Sequence, residues 1–278
     1  MPAPFVTRFA PSPTGPLHLG HALSALSVWE AAQAAGGRVL LRMEDIDATR
    51  ARPEFEQGIY DDLSWLGLRW EAPVRRQSEH MADYRAALAR LEAQGLLYRD
   101  FRTRREQAQA AASAPHGPET PVSGAALPAG EEARRLAAGE PFAWRLSLAR
   151  ARERLGPGYA ALTILELGDR PARPELAGDV VLARKDVGVA YHLACTVDDA
   201  LQGVTHVIRG EDLREAAHPQ RLLQALLGLP PVAYRHHPLL FGPDGKRLAK
   251  RNGAEPLAAL RAAGVTAEEV RRRTGLGG

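Results

Sequence analysis

The first fifty residues contain the feature that most limits how this chain can fold. A β-favouring run at 5–10 ends in a loop with three prolines, and from Leu19 apolar residues recur at helical spacing until Gly36 and Gly37. The next run, 38–43, is again apolar and strand-like. So short a strand–helix–strand unit predicts a parallel strand pair with a crossover helix, and hence an α/β fold with a doubly wound parallel sheet.

Polar residues follow both of these strands. The loop 8–21, RFAPSPTGPLHLGH, follows the first strand, and Glu44 follows the second. Ligands of parallel α/β sheets bind at the carboxyl ends of the strands. The sequence therefore predicts a binding site where this loop and Glu44 meet.

The rest of the chain gives a coarser pattern. Helices are predicted at about 53–66 and 81–94, and one or two short amphipathic helices beyond 254. Further strands are predicted in the runs 141–146, 179–184 and 205–209. Residues 108–139 are rich in alanine, proline and glycine, which indicates a loop or a weakly packed helix pair.

Composition excludes some classes of protein. Thirty-six basic against 33 acidic residues give a net charge of +3, which permits a nucleic-acid partner without requiring one. Cys195 is the only cysteine, so an intramolecular disulfide and a cysteine-cluster metal site are excluded. We find no signal-peptide pattern and no apolar run long enough for a membrane span, and we expect a cytoplasmic protein with no membrane partner.

Two stretches carry candidate chemistry. His18 and His21 lie on one face at a predicted helix start, where backbone N–H groups favour an anion, and Gly20 leaves room for a flat base. The run 242–251 joins a glycine-rich turn to four cations, a pattern that can close over a polyphosphate. Either stretch alone has a commoner interpretation, namely surface histidines on a capped helix or a solvated hairpin.

Together the two stretches resemble the two signatures of class I aminoacyl-tRNA synthetases. Further segments resemble the glutamyl-tRNA synthetase catalytic domain in order, over most of the chain apart from 102–140: RMEDIDATR, DDLSWLGL, QSEHMADYRAAL, GDVVLARKD, AYHLACTVDDALQGVTHVIRGEDL and KRLAKRNGA. The resemblance implies a Rossmann-like doubly wound parallel sheet with an inserted α+β subdomain. It divides the chain into a split catalytic domain at 1–95 and 191–255, an inserted acceptor-type subdomain at 96–190, and a helical tail at 256–278.

The resemblance also assigns a glutamate pocket. It implies that glutamate contacts the following side chains: Arg8, Ser12, Glu44, Tyr191 and Arg209. Two arginines and one acid complement the two carboxylates and one ammonium group of glutamate. Which arginine binds which carboxylate stays open, and an ordinary strand-end ion pair between Arg8 and Glu44 is the structural alternative.

For ATP, used with Mg²⁺, the resemblance implies a second set of contacts: His18, Gly20, His21, Gly210, Arg247 and Lys250. His18, His21 and Lys250 are the expected catalytic residues. Lys250 matches the second lysine of the family's KMSKS-type loop, whereas Arg247 replaces the first lysine and Ala249 the first serine. The cations are retained, and the missing hydroxyl leaves the details of loop closure open.

The chain ends 28 residues after Lys250, so we expect no anticodon-binding domain. The resemblance therefore narrows to the truncated branch of the family, the glutamyl-Q tRNA(Asp) synthetases, which transfer glutamate to the queuosine base in the anticodon loop of aspartate tRNA. The expected partners are L-glutamate, ATP and tRNA(Asp) carrying queuosine. A monomer is our working expectation, and the sequence itself does not fix the oligomeric state.

One departure from that branch concerns zinc, for which many of its members have a Cys-x-Cys pair after the helix that ends at Gly95. Asp100 and Arg102 occupy the matching positions here, and His116 alone cannot replace the missing ligands. Adjacent strand residues such as His236 and His237 point apart. We therefore expect no zinc and no other metal site.

Three alternatives remain open at this stage. A shortened or split conventional glutamyl-tRNA synthetase would charge a tRNA 3′ end. A nucleotidyltransferase shares the histidine loop, but Arg8, Glu44, Tyr191 and Arg209 disfavour it. A non-catalytic glutamate- or RNA-binding relative is disfavoured by the retained His18, His21 and Lys250.

Overall fold

The computed structural model describes residues 4–102, 124, 126–166, 168–184, 188–242 and 255–276. The strands within these ranges are β1 (Val6–Phe9), β2 (Arg38–Met43), β3 (Glu71–Arg76), β4 (Leu97–Asp100), β5 (Ala143–Leu146), β6 (Thr163–Ile164), β7 (Arg170–Pro171), β8 (Val181–Arg184), β9 (Gly188–Val189), β10 (His206–Gly210) and β11 (Ala233–His237). The helices are α1 (Leu19–Ala34), α2 (Pro53–Trp65), α3 (Met81–Ala93), α4 (Ala129–Ala137), α5 (Leu148–Leu155), α6 (Pro157–Ala160), α7 (Tyr191–Leu201), α8 (Ala217–Leu227), α9 (Leu257–Ala262) and α10 (Ala267–Arg273). None of the helices in these ranges has the length and apolar content to cross a membrane.

The chain forms two compact units. The first unit comprises Met1–His80, Gly203–Arg214 and Val232–Gly278, and the second comprises Met81–Gln202 and Glu215–Pro231.

The first unit is built on parallel strands, as the opening residues predict. β2 pairs with β1 on one side and β3 on the other, and β10 pairs with β11, all in parallel. Thr205 connects the two sets, because its backbone N–H donates to the carbonyl of Val6 and its hydroxyl accepts from the Val6 N–H, both at 2.9 Å. The predicted parallel pair with its crossover helix α1 is confirmed.

Two glycines allow the chain to turn from α1 into β2. Gly36 has φ +59°, a left-handed conformation that favours glycine. At Gly37 a Cβ atom would lie 2.5 Å from the carbonyl oxygen of Phe5, so a side chain there would push the start of β1 away. The predicted end of α1 at these glycines is confirmed.

The C-terminal helices belong to the first unit's core. Leu257 and Leu260 of α9 and Val270 of α10 are buried in the same apolar cluster as Leu26 and Leu41. The prediction set 256–278 apart as a tail, whereas the compact unit includes it. The physical reason is that its apolar face fills this core.

The second unit contains an antiparallel sheet in the order β4-β5-β8-β9, accompanied by helices. The buried hydroxyl of Tyr84 in α3 donates to the carboxylate of Asp198 in α7 at 2.8–2.9 Å. Arg90 of α3 donates to the carbonyl of Leu227 in α8 at 2.7 Å. Because of such contacts α3 and α7 lie in this unit, although the predicted boundaries, 95/96 and 190/191, put both in the catalytic domain.

Only part of the segment 108–139 lies in the described ranges. There α4 forms a helix with no buried residue among 129–137, in keeping with a weakly packed helix. Residues 108–123 and 125 lie outside the described residues.

Candidate active site

The opening loop lies at the carboxyl ends of β1 and β2. The backbone N–H of Glu44 donates to the carbonyl of Pro11, and that of Arg52 donates to the carbonyl of Pro13, both at 3.0 Å. The loop is thereby fixed against the segment that follows β2. Ser12, a predicted glutamate contact, is exposed on this loop.

His18 and His21 cap the start of α1 with their own side chains. Nδ1 of His18 accepts from the backbone N–H of Gly20, and Nδ1 of His21 accepts from that of His18, both at 3.1 Å. The ring centroids are 3.9 Å apart. Since each Nδ1 accepts a hydrogen bond, each neutral ring carries its proton on Nε2. The arrangement puts two Nε2–H donors at the positive end of the helix, where an anion is favoured.

Gly20 and Gly210, the two glycines predicted for ATP, both lie near carboxyl ends of strands. Gly20 is the second residue of α1, beside the histidine pair. Gly210 ends β10 and is buried, and a Cβ atom there would lie 2.5 Å from Oδ1 of Asp212. Neither position places a side chain over this edge of the sheet.

His236 and His237 point to opposite faces of β11. Nε2 of His237 lies 2.8 Å from Oγ of Ser24 on α1, while Nε2 of His236 lies 3.3 Å from Nε of Arg209. Burial lowers the pKa of His237, so this ring is neutral at physiological pH. The two rings therefore do not form a joint metal site.

Charged residues near the carboxyl ends of β1, β2 and β10 lie on the face of these strands that is turned away from α1. Phe9, Leu41, Met43 and Ile208 pack in the core with α1, so the residues that alternate with them point to the other face. These residues are Arg8, Arg42, Glu44 and Arg209. Arg8 and Arg209 are only 5% and 4% exposed. The structure thus brings three of the predicted glutamate-binding residues, Arg8, Glu44 and Arg209, to one face.

Arg42 belongs to this group although the sequence analysis gave it no role. Its side chain is fully buried, and Nη2 lies 3.2 Å from Oε1 of Glu44. The signal was present in the sequence, because an arginine inside the apolar run VLLRM is two residues from Glu44 and so shares its face. The Arg8–Glu44 alternative treated the acid as a partner of Arg8, whereas Arg42 is an ion-pair partner that we missed.

Three predicted site residues lie outside the first unit's described strands and loops. Tyr191 is the first residue of α7, in the second unit, and is half-buried. Arg247 and Lys250 lie outside the described residues.

Asp100 and Arg102, at the positions that match the Cys-x-Cys pair, form part of an ion-pair network. The Asp100 carboxylate accepts from Nε and Nη2 of Arg102 at 2.8 and 2.9 Å, and from Nε of Arg145 at 2.5 Å. Burial by itself would raise the pKa of Asp100, but the hydrogen bonds from the two arginines outweigh it and lower that pKa. In the described ranges no group of three or more His, Cys, Asp or Glu side chains is placed to hold a metal.

Comparison with known proteins gives concordant matches. A family model for the catalytic domain of class I tRNA synthetases (E and Q) matches residues 4–272. The glutamyl-Q tRNA(Asp) synthetase of Rhodobacter capsulatus is 47% identical over 98% of this chain and 100% of its own length. The protein of the same name from Symbiobacterium thermophilum is 46% identical over 95% of this chain and 83% of its own.

A solved structure agrees. The crystal structure of glutamate-tRNA synthetase from Elizabethkingia anophelis superposes with a TM-score of 0.75 at 28% identity. The match covers 90% of this chain and 53% of that chain, so this protein spans about half of the longer enzyme. Since the family model covers nearly all of the sequence, the chain belongs to the class I tRNA synthetases of the E and Q type, and within them to the glutamyl-Q tRNA(Asp) synthetases.

Proposed function

We propose that this protein activates L-glutamate with ATP and transfers it to the queuosine base in the anticodon loop of tRNA(Asp). The observation that carries the proposal is the 47% identity with a glutamyl-Q tRNA(Asp) synthetase over that protein's full length. The site geometry supports it, because the histidine pair at the start of α1 and the arginine-rich face of β1, β2 and β10 both belong to the first unit.

The amino acid is proposed to bind on the face that carries Arg8, Glu44 and Arg209. The two guanidinium groups would pair with its carboxylates and Glu44 with its ammonium group, and Ser12 would contact the same molecule. Tyr191 stays a predicted contact from the sequence. Three arginines and one acid on this face, Arg42 included, suit a ligand with two carboxylates and one ammonium group.

ATP is proposed to bind at the start of α1, with its base over Gly20 and Gly210 and its phosphates near His18 and His21. Arg247 and Lys250 would add cations from the 242–251 run. Mg²⁺ neutralises phosphate charge when it is bound, and it commonly combines substrate phosphates with waters and one or two carboxylates.

The chemistry is an adenylyl transfer followed by an acyl transfer. A carboxylate oxygen of glutamate forms a bond to the α-phosphorus of ATP, the bond to pyrophosphate breaks, and glutamyl-adenylate results. A hydroxyl of the modified base then attacks the carbonyl carbon of this mixed anhydride, AMP leaves, and the hydroxyl proton passes to solvent. His18, His21 and Lys250 stabilise charge that develops on the phosphates in the first step.

We further propose that the enzyme binds no structural zinc and acts as a monomer in the cytoplasm. The support for the first point is that the Asp100 carboxylate already accepts from two arginines. Elemental analysis of untagged protein is expected to find no stoichiometric zinc, and a one-to-one content would contradict this.

The identity of the glutamate acceptor is tested by incubating the enzyme with labelled glutamate, ATP and aspartate tRNA that either carries or lacks queuosine. Label is expected only on the queuosine-bearing tRNA, and it should not be released by removal of the 3′-terminal nucleotide. Equal labelling of both tRNAs, or labelling of glutamate tRNA at its 3′ end, would instead support a conventional glutamyl-tRNA synthetase.

A further inference from the structure

Arg209 has two neighbours on the adjacent strand, Tyr234 and His236, to which the sequence assigned no role in substrate binding. β10 and β11 run parallel, with Arg209 directly opposite His236 and Val207 opposite Tyr234. Residues two apart on a strand share a face, so Tyr234 and His236 both lie on the face of Arg209. The sheet register alone therefore brings these three side chains together.

The contact between Arg209 and His236 fixes the state of the histidine. Nε of Arg209 donates to Nε2 of His236 at 3.3 Å. A guanidinium group has donors only and stays protonated, so the ring nitrogen that faces it has to be an acceptor. His236 is accordingly neutral in this arrangement, with its proton on Nδ1.

Tyr234 holds the same guanidinium from another direction. Cζ of Arg209 lies 4.9 Å from the centroid of the Tyr234 ring, a cation–π distance. The Tyr234 and His236 rings are themselves nearly parallel, with 5° between their planes and centroids 6.0 Å apart. Since Arg209 and Tyr234 are both buried, these contacts restrict the guanidinium to one plane.

We propose that His236 and Tyr234 are positioning residues that orient Arg209 for a carboxylate of the amino-acid substrate. The proposal rests on the proposed function, in which Arg209 binds glutamate. Because Nε already donates to His236, a carboxylate that binds bidentately has to use the edge formed by Nη1 and Nη2. The pair thereby determines which edge of Arg209 recognises the substrate.

The test compares His236→Gln with His236→Asn by glutamate-dependent ATP–pyrophosphate exchange. The amide of glutamine reaches about as far as Nε2 and can accept from Arg209, whereas that of asparagine is one methylene shorter. We expect the asparagine variant to raise the KM for glutamate about tenfold, as befits a lost hydrogen bond to a charged group. The glutamine variant should stay within about threefold of the wild type, and the KM for ATP should be unchanged in both.

Equal glutamate KM values for the two variants would overturn the positioning role, whether both resemble the wild type or both are impaired. A wild-type enzyme without glutamate-dependent exchange would instead overturn the proposed function, so the two failures are distinct. If the asparagine variant does not fold, Tyr234→Phe and Tyr234→Leu give the same comparison. Phenylalanine keeps the ring face and should keep the glutamate KM, whereas leucine should raise it, and equal values would again contradict the role.

Discussion

The antiparallel sheet of the second unit and the parallel strands of the first unit both bury arginines, but they surround them differently. In the second unit Arg145 donates from Nε to Asp100 at 2.5 Å and from Nη1 to the backbone carbonyl of Asp179 at 2.6 Å. The carboxylate of Asp179 accepts from the hydroxyl of Tyr98 at 3.0 Å and from the N–H of Leu148 at 2.9 Å. In this balanced network, each carboxylate and arginine thus has hydrogen-bond partners among the other side chains and the backbone.

The arginine-rich face of the first unit buries more positive than negative charge. Among the described residues near the carboxyl ends of β1, β2 and β10, the side chains of Arg8, Arg42 and Arg209 are buried, and Glu44 lies beside Arg42. An excess of buried positive charge is costly to stability, whereas a ligand with two carboxylates offsets it. We infer that the balanced network stabilises the second unit and that the unbalanced face serves substrate binding.

The largest effect is expected from Arg145→Met in the balanced network. The change leaves the Asp100 carboxylate buried without its closest partner, which should lower the free energy of unfolding by about 3–5 kcal/mol. Urea unfolding measures this loss of unfolding free energy. Arg102→Gln is the matched control, since Arg102 is 38% exposed and an ion pair of that kind contributes at most about 1 kcal/mol. Equal losses in the two variants would contradict the distinction between them.

On the substrate-binding face, Arg209→Gln and Arg8→Gln should each weaken glutamate binding by about 2–5 kcal/mol, because a desolvated carboxylate loses its partner. The free energy of unfolding should change much less than in Arg145→Met, since the face already carries excess positive charge. Calorimetric titration with glutamate and urea unfolding of the same samples separate the two effects. Wild-type affinity for glutamate in Arg209→Gln would show that this arginine does not bind it.

Lys250→Ala tests whether the 242–251 run stabilises the transition state of adenylate formation. Lys250 lies outside the described residues, and its role is a prediction from the sequence. Loss of a cation that meets developing phosphate charge should lower kcat for adenylate formation about 10²-fold with little change in the glutamate KM. A raised glutamate KM at unchanged kcat would assign this lysine to substrate binding instead.

A smaller effect concerns pH and the balanced network. Since the hydrogen bonds from the two arginines hold the pKa of Asp100 below its ordinary value, this carboxylate stabilises the folded state above about pH 4. That contribution is lost as the pH falls through the lowered pKa of the folded state. Urea midpoints between about pH 5 and pH 3 should therefore fall less steeply in Asp100→Asn than in the wild type. Parallel curves would show that Asp100 does not carry this dependence.

Local patterns were sufficient to predict most of the first unit. The apolar spacing after Leu19 and the paired glycines define α1, and the predicted strands 38–43 and 205–209 agree with β2 and β10 to within a residue. These features depend on neighbours in sequence, which is why the sequence reveals them. The alternation of side chains also indicates Arg42, because an arginine inside an apolar strand and two residues before Glu44 shares the face of that acid.

Long-range contacts explain what the sequence could not predict. Tyr84 and Asp198 are 114 residues apart, and their hydrogen bond joins α3 to α7 in the second unit. Asp100 meets Arg145 across 45 residues, so the network that surrounds it is invisible to any local pattern. The register of β10 against β11, which brings His236 to Arg209, is likewise a property of the folded sheet.

Pyrophosphate exchange without tRNA tests whether the arginine-rich face and the histidine pair form a complete site for activating glutamate. The purified protein is incubated with ATP, labelled pyrophosphate and either glutamate or glutamine, with no RNA present. Exchange should depend on glutamate, and glutamine should be a far poorer substrate, because its amide leaves an arginine without a charged partner. Absence of exchange until tRNA is added would show that these residues do not form a complete activation site, and equal exchange with glutamine would show that the arginines do not select a carboxylate.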